Sequence, residues 1–188
     1  RGTIKAIERA CLDVAGVRSA TVFEALEVNG VAARVVQAVI ADQFTEQLID
    51  ATVFPPVYQT QSAALAAAIQ AELVETRAGG IGVSILMANV RLLSVTLALR
   101  FRAGSDIDAA ATQARVEIVN YTNSLPPGAV WSRADANARL ARVPGLVVEG
   151  DGAEIFSPPG DVEPLVLEVL RTSLGMVVIG NEIDRVVT

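Results

Sequence analysis

Histidine is absent from this chain of 188 residues, and cysteine, lysine and tryptophan occur once each, as Cys11, Lys5 and Trp131. Without histidine the chain alone builds no His-dependent dyad or triad, and no His or multi-Cys zinc site. A Schiff-base or phosphate-binding lysine would have to be Lys5. It sits in a stretch, Arg1-Gly2-Thr3-Ile4-Lys5-Ala6, unlike any Gly-rich phosphate loop. One cysteine forms no internal disulfide, and a chain of this length, able to bury roughly 70% of its unfolded surface, needs none; a reducing compartment fits. Positive charge is also in deficit. Fifteen Lys and Arg face twenty-one Asp and Glu, giving a net charge of −6 and a pI near 4.7, which argues against a nucleic-acid or anionic-membrane surface. No apolar run reaches the roughly 18 residues of a membrane span. The nearest, Val83–Phe101, is interrupted by Asn89, Arg91 and Arg100 and alternates like a strand.

Carboxylate chemistry stays open, but the acidic residues are scattered. Asp106, Asp108, Glu72, Glu75 and Asp135 fall at helix caps or on solvated faces, and nothing singles out a catalytic pair. Gly79-Gly80-Ile81-Gly82 follows a helix, whereas a dinucleotide-binding loop precedes one, so it reads as a cap and turn. No catalytic residue, cofactor, metal or small-molecule substrate is expected.

What the chain has in excess is apolar surface: 52% hydrophobic residues and a mean hydropathy of +0.44. Either apolar faces are left over for partners, or this is an Ala- and Val-rich core in a chain where Arg replaces Lys. The opening residues alternate charge with apolar side chains, unlike a signal peptide. A start at Arg1 is expected for a piece of a longer protein.

Periodicity places the elements. Ile4, Ile7, Cys11 and Val14 form one helical face, capped by Thr3 and stopped at Gly16, with Cys11 a buried, inert thiol. Val17–Leu26 and Val31–Ala41 read as a hairpin turning at Asn29-Gly30. Asp42–Gln61 is a looser connection, with a short helix expected at Thr45–Ala51 and an extended Phe54-Pro55-Pro56-Val57-Tyr58. Ser62–Arg77 is a helix presenting Leu65, Ile69, Leu73 and Thr76. Val83–Ala88 and Leu92–Arg102 follow as strands. A helix over Asp106–Leu125, with a capping box at Ser105 and Asp108, presents Ile107, Ala111, Ala114, Ile118, Tyr121 and Leu125. Pro126-Pro127-Gly128 breaks it. Ser132 with Asp135 caps a short helix ending near Arg142, and Val143-Pro144-Gly145-Leu146 turns it into a strand. Further strands are expected to the end, with turns at Gly150-Asp151-Gly152, Pro158-Pro159-Gly160 and Gly180-Asn181.

Val14-Ala15-Gly16-Val17 and Val143-Pro144-Gly145-Leu146 echo each other, each reversing a helix into a strand. The pattern gives an α+β fold of two small units, 1–88 and 89–188. Each has a few helices on a short, mostly antiparallel sheet, and the chain ends in β-strands.

The order of pieces over Leu92–Leu146 is the most specific feature. An alternating strand runs into Gly104-Ser105-Asp106 and a long Ala-rich helix. That helix ends in Tyr121-Thr122-Asn123-Ser124-Leu125-Pro126-Pro127-Gly128, and a short helix then closes on Val143-Pro144-Gly145-Leu146. This resembles the C-terminal region of the baseplate J-like family, the wedge proteins of contractile phage tails. Gly2-Thr3 before a helix and Val14-Ala15-Gly16-Val17 are similar to that family's central domain, and Gly180-Asn181-Glu182-Ile183 to its closing strand. The family's N-terminal domain is missing, and Asp42–Gln61 is longer and more irregular than its pattern. The resemblance implies a non-catalytic inner-wedge scaffold that links the central hub to the sheath and rearranges on contraction. Its place would be the virion's tail baseplate, after assembly in the host cytoplasm. Partners would be a second copy and other wedge, hub or sheath proteins, without nucleic acid or membrane insertion. A ligand-binding or regulatory α+β module is the rival reading, and a tail-associated glycan hydrolase the third.

Two sets of positions follow. Gly16, Asn29, Gly30, Gly128, Pro144 and Gly145 are expected at structural turns, Gly145 with a left-handed backbone. Trp131 is expected in the core at a helix entry, with an interface anchor as the sharper option. Leu165, Val166, Leu167, Val169 and Leu170 crowd around Glu168, and Met176–Ile179 is wholly apolar. These read as strands apolar on both faces, covered either inside the domain or by another subunit, which makes Val166 and Val178 interface candidates.

Overall fold

A computed structural model describes residues 4–26, 32–43, 49–50, 57–58, 62–76, 82–147 and 153–180. In chain order the elements are α1 (Ile4–Asp13), β1 (Val17–Leu26), β2 (Ala32–Asp42), β3 (Ile49–Asp50), β4 (Val57–Tyr58), α2 (Ser62–Thr76), β5 (Gly82–Met87), β6 (Asn89–Leu92), β7 (Val95–Leu99), α3 (Ile107–Ser124), α4 (Arg133–Leu140), β8 (Ala153–Ser157), β9 (Glu168–Arg171) and β10 (Val177–Ile179), with a 3-10 turn at Leu174–Met176 before the last. The class is α+β. The chain forms two compact units. Unit 1 is Arg1–Val90 with Pro126–Ala129 and Pro164–Val169; unit 2 is Arg91–Leu125, Val130–Glu163 and Leu170–Thr188. The two short stretches in unit 1 lie beyond any division drawn along the sequence at residue 88. Among the described residues no helix is long and apolar enough to cross a membrane.

Unit 1 is organised by β2, which pairs antiparallel with β1, from Val17↔Asp42 to Leu26↔Ala32, and parallel with β5, from Val35↔Gly82 to Ile40↔Met87. Two parallel strands need a crossover, and α2 lies within it. Side chains alternate across a strand, so β2 serves two cores. Val36, Ala38 and Ile40 join Ile7, Ala10 and Cys11 of α1 and Ile69 and Leu73 of α2. Val39 and Ala41 point the other way, to Ala88 and Val169. Fully burying each such Val, Leu or Ile side chain is worth about 1.5–3 kcal/mol.

Unit 2 is centred on β7, whose Val95, Leu97 and Leu99 are fully buried while Thr96 and Ala98 are half-buried. It pairs parallel with β10 and antiparallel with β8. Thr96 opposes Ser157 and Leu97 opposes Ile155, so Phe156 is the extra residue of a bulge. Over the inner face pack Ala110, Ala114, Ile118 and Tyr121 of α3, with Trp131, Ala136, Leu140, Val143 and Leu146. The apolar face read from the sequence of α3 is the face it buries.

The two turns echo each other in the backbone, although the second leads to an isolated bridge at Leu146, not to the strand expected there. Val17 N donates to Val14 O at 3.2 Å and Leu146 N to Val143 O at 3.3 Å. Each turn has glycine in its third position with positive φ, +97° at Gly16 and +88° at Gly145, a conformation costly for any residue with a Cβ. Pro144 occupies the second position of its turn, where a φ near −65° is wanted.

Several expectations are corrected. Of the helix expected at Thr45–Ala51, Ile49–Asp50 is instead a strand paired antiparallel with Val57–Tyr58, because backbone pairing there overrides a weak local helical pattern, and the rest of that stretch lies outside the described residues. The single strand Leu92–Arg102 is divided. β6 ends at Leu92, β7 runs only to Leu99, and Phe101 makes an isolated bridge to Leu146. The cap of α3 is Asp106, whose side chain accepts from Ala109 N, not Ser105, whose hydroxyl donates to Arg102 O at 2.7 Å. Ser132 caps α4 as expected, accepting from Asp135 N. Leu165–Leu167 is not strand; it forms a turn entering β9. Thr3, Asn29, Gly30, Phe54 to Pro56, the turn at Gly150 to Gly152 and the expected closing strand after Gly180 lie outside the described residues.

Candidate functional site

The polar run at the end of α3 is where the sequence concentrates hydrogen-bonding side chains, and each of them is committed internally. The Tyr121 hydroxyl accepts from Ser132 N at 2.9 Å and donates to Ser132 O at 3.3 Å, while Arg139 lies over the ring, 4.8 Å from its centroid. Burial pushes the Tyr121 phenol above its ordinary value, against the Ser132 backbone bond, which acts in the opposite direction. Trp131 Nε1 donates to Thr122 Oγ1 at 3.0 Å. Asn123 exchanges two hydrogen bonds with the backbone of Thr172, and Ser124 Oγ donates to Tyr121 O. Arg171, almost wholly buried, donates from Nη1 to the carbonyls of Leu125 and Leu170. These are fastenings of unit 2.

Trp131 is therefore corrected as an interface anchor. It is fully buried, its indole N–H is satisfied, and its ring lies 6.0 Å from that of Tyr121. The core role is the one it holds.

The exposed apolar side chains lie elsewhere. In unit 1, Leu165, Val166 and Leu167 are 71%, 57% and 40% exposed, while Val169 is buried among Val39, Ala41 and Ala88. The turn that carries them is built from both sides. Glu168 N donates to Leu165 O at 2.8 Å, and the Glu168 carboxylate accepts from Leu165 N at 3.0 Å. Asn89 N donates to Leu167 O and Gly128 N to Glu168 O, both at 2.8 Å. Beneath it Pro126–Ala129 is itself a turn, Ala129 N donating to Pro126 O, with Pro127 second and Gly128 third at φ +75°. Thr21 of β1 ties this strap down by donating from Oγ1 to Pro127 O at 3.0 Å. Gly128 is thus the structural turn expected of it.

In unit 2, Leu170 and Val177 are buried, but Val178 is 51% exposed on β10, and Phe156 and Leu174 are exposed as well. Val178 opposes Thr96, so it occupies the outer face of the β10-β7-β8 sheet. Of the three interface candidates, Val166 and Val178 are on surfaces, Val166 in unit 1 and Val178 in unit 2.

Concave features are modest. A depression of about 660 Å³ runs along α3, and its described lining, Asp108, Ala109, Thr112, Gln113, Val116 and Glu117, comes from successive turns of that one helix. Polar groups from several elements, which would fix a ligand's orientation, do not converge among these residues. Among the described residues no group of three or more His, Cys, Asp and Glu is placed to hold a metal ion. Cys11 is fully buried, and burial, with the nearby Glu8 charge adding to it, raises its thiol from 9.0 to about 11. It is protonated at neutral pH and a poor nucleophile.

Sequence reasoning missed the Asn123–Thr172 pair, the burial of Arg171 and the role of Glu168. Only the last carried a signal, as the single charge inside an otherwise apolar run.

No family model matches the chain, and no curated protein matches it. Among solved structures, it is similar to a chain in the anti-feeding prophage (AFP) baseplate, at 12% identity and a TM-score of 0.49, over 91% of this chain and 37% of that one. The chain thus spans little more than a third of the length of that protein. A likeness of that degree carries neither a family assignment nor a function.

Proposed function

We propose that the chain is a non-catalytic structural subunit of a contractile-tail baseplate, in the inner-wedge position of a phage or related injection machine. The observation that carries the assembly role is the Leu165–Leu167 turn. Three consecutive aliphatic side chains stand in solvent on a backbone that is hydrogen-bonded in place. A chain that only had to fold would gain about 25 cal/mol for every Å² of that surface it buried. Holding it outward suits contact with another protein. The baseplate assignment rests on the order of sequence pieces over Leu92–Leu146 and on the family they resemble. In this reading the partners are a second copy and neighbouring wedge, hub or sheath proteins, the location is the tail baseplate, and contraction moves the subunit.

The experiment is to tag the full-length protein in its native host and purify the particles it enters. Mass spectrometry and gold labelling should find it at fixed stoichiometry at the tail end beside the sheath. Its recovery only as free protein, from cells shown to make tails, would contradict the proposal. The expected lack of catalysis is checked separately with peptidoglycan and nucleotide substrates. Turnover abolished by changing a single Asp or Glu would contradict that part.

A further inference from the structure

We infer that a second copy of this chain docks on β1, the two strands pairing antiparallel about a two-fold axis at Thr21; this rests on the proposed function, in which a second copy is a partner. β1 is an outer strand of the β1-β2-β5 sheet, and among the described residues no strand pairs with its other edge. Its ten residues make a long edge. Such an edge offers a row of unpaired N–H and C=O groups to another chain.

The two faces of β1 are already taken. Ala20 and Val22 share a core with Ile7 and Cys11 of α1 and Ile69 of α2. On the other side Thr21 Oγ1 donates to Pro127 O, and Phe23 packs against the cluster of Val39 and Ala41. What the middle of the strand leaves to a partner is its backbone, so docking there is by strand pairing.

The charges on β1 identify that partner as the chain itself. Arg18 and Glu24 are its two charged side chains, both exposed, and neither has an ion-pair partner among the described residues. They are opposite in sign, and each lies three residues from Thr21. In an antiparallel pairing centred on Thr21, Arg18 of each copy therefore meets Glu24 of the other, twice over. Between these pairs Ser19 faces Phe23, Ala20 faces Val22 and Thr21 faces itself, with no charge or proline to obstruct the ladder. A centre at Ala20 or Val22 sets both charges against neutral residues. Parallel pairing in register sets Arg18 beside Arg18 and Glu24 beside Glu24, which is repulsive. A centre between two residues opposes outward-pointing backbone groups with inward-pointing ones. Arg18 is the extra residue of a bulge between Val17↔Asp42 and Ser19↔Ala41. The regular ladder is therefore Ser19–Phe23, with an ion pair at each end. Docking joins two three-stranded sheets into one.

The test is sedimentation equilibrium at low salt on four full-length proteins: wild type, Arg18→Glu, Glu24→Arg and the double charge swap. The wild type should form a reversible dimer that weakens as salt screens the pairs. Each single substitution turns both cross-strand pairs into like-charge contacts and should weaken self-association about tenfold. The double swap should restore it. An equimolar mixture of Arg18→Glu with Glu24→Arg should form a heterodimer as tight as the wild-type dimer, because every pair is then opposite in sign. Amide exchange at alternate residues of Ser19–Phe23 should slow as the wild-type concentration rises. A wild type that stays monomeric, a dimer indifferent to both substitutions, or a mixture that associates no better than its components would each overturn the inference. Entry into particles is scored separately: a wild type that dimerises in this way but enters no tail particle contradicts the proposed function and supports the docking mode.

Discussion

Asn123 and Thr172 hold each other reciprocally: Asn123 Nδ2 donates to Thr172 O and Thr172 N donates to Asn123 Oδ1, both at 2.9 Å. The side-chain amide serves as one rung of a ladder, joining the last turn of α3 to the residue after β9. Asn123→Ala leaves both backbone groups without this partner and should destabilise by about 1–3 kcal/mol. Asn123→Asp keeps the acceptor but sets a carboxylate oxygen against the Thr172 carbonyl, so it should not rescue. Denaturant midpoints check this. Asp matching wild type would show that the Nδ2 donor is dispensable.

Gly145 joins α4 to the strand-like segment after it at φ +88°, and a Cβ there would meet Ser105 Cβ at 3.1 Å. Gly145→Ala should lose about 1–2 kcal/mol from the left-handed backbone alone, and Gly145→Val more. In a Ser105→Gly background, which removes this contact together with the Ser105 hydrogen bond to Arg102 O, the added cost of Gly145→Ala should be smaller than in the wild type but not vanish. Equal stability of wild type and Gly145→Val would contradict the geometry.

Cys11 gives a pH signature. Its folded pKa, about 11, lies above the ordinary 9.0 because burial disfavours the thiolate. The stabilising contribution of the protonated thiol is therefore complete below pH 9 and is lost as pH rises through 11. Stability of the wild type should fall across that window more than that of Cys11→Ala, when each is compared with its own value at pH 8. A thiol reagent at pH 8 should label Cys11 only as the protein unfolds. Fast labelling of the native chain would contradict burial.

Val166→Asp and Val178→Asp alter exposed side chains, so each should change stability by no more than about 0.5 kcal/mol. Both should weaken association. A large drop in thermal midpoint for either would mean that its side chain is packed in the free chain.

Much of the fold was legible because its helices carry their burial pattern in the sequence. Ile69 and Leu73 of α2, and Ala114, Ile118 and Tyr121 of α3, are buried on the faces their spacing defines. The turns at Gly16 and Gly145 were legible for a steric reason, since few other residues accept those dihedrals. Pairing was not. Nothing local to Leu92–Arg102 says that β7 stops at Leu99, because that depends on where β8 and β10 run out. Hydrophobicity alone also failed at the end of the chain. Val169 and Leu170 are buried, yet Leu165–Leu167, of the same character, stand outward because Glu168, Asn89 and Gly128 hold the turn there. The candidate surface depended on those long-range hydrogen bonds, so composition announced an apolar surplus without locating it.

The most direct measurement of the central claim is sedimentation velocity on the full-length protein, alone and mixed with the subunits that accompany it in purified particles. The assembly account predicts a discrete heavier complex in the mixture, reduced to free components by Val166→Asp while that variant's thermal midpoint stays at the wild-type value. A full-length chain that remains monomeric at high concentration with every such subunit present, or a complex indifferent to Val166→Asp, would contradict it.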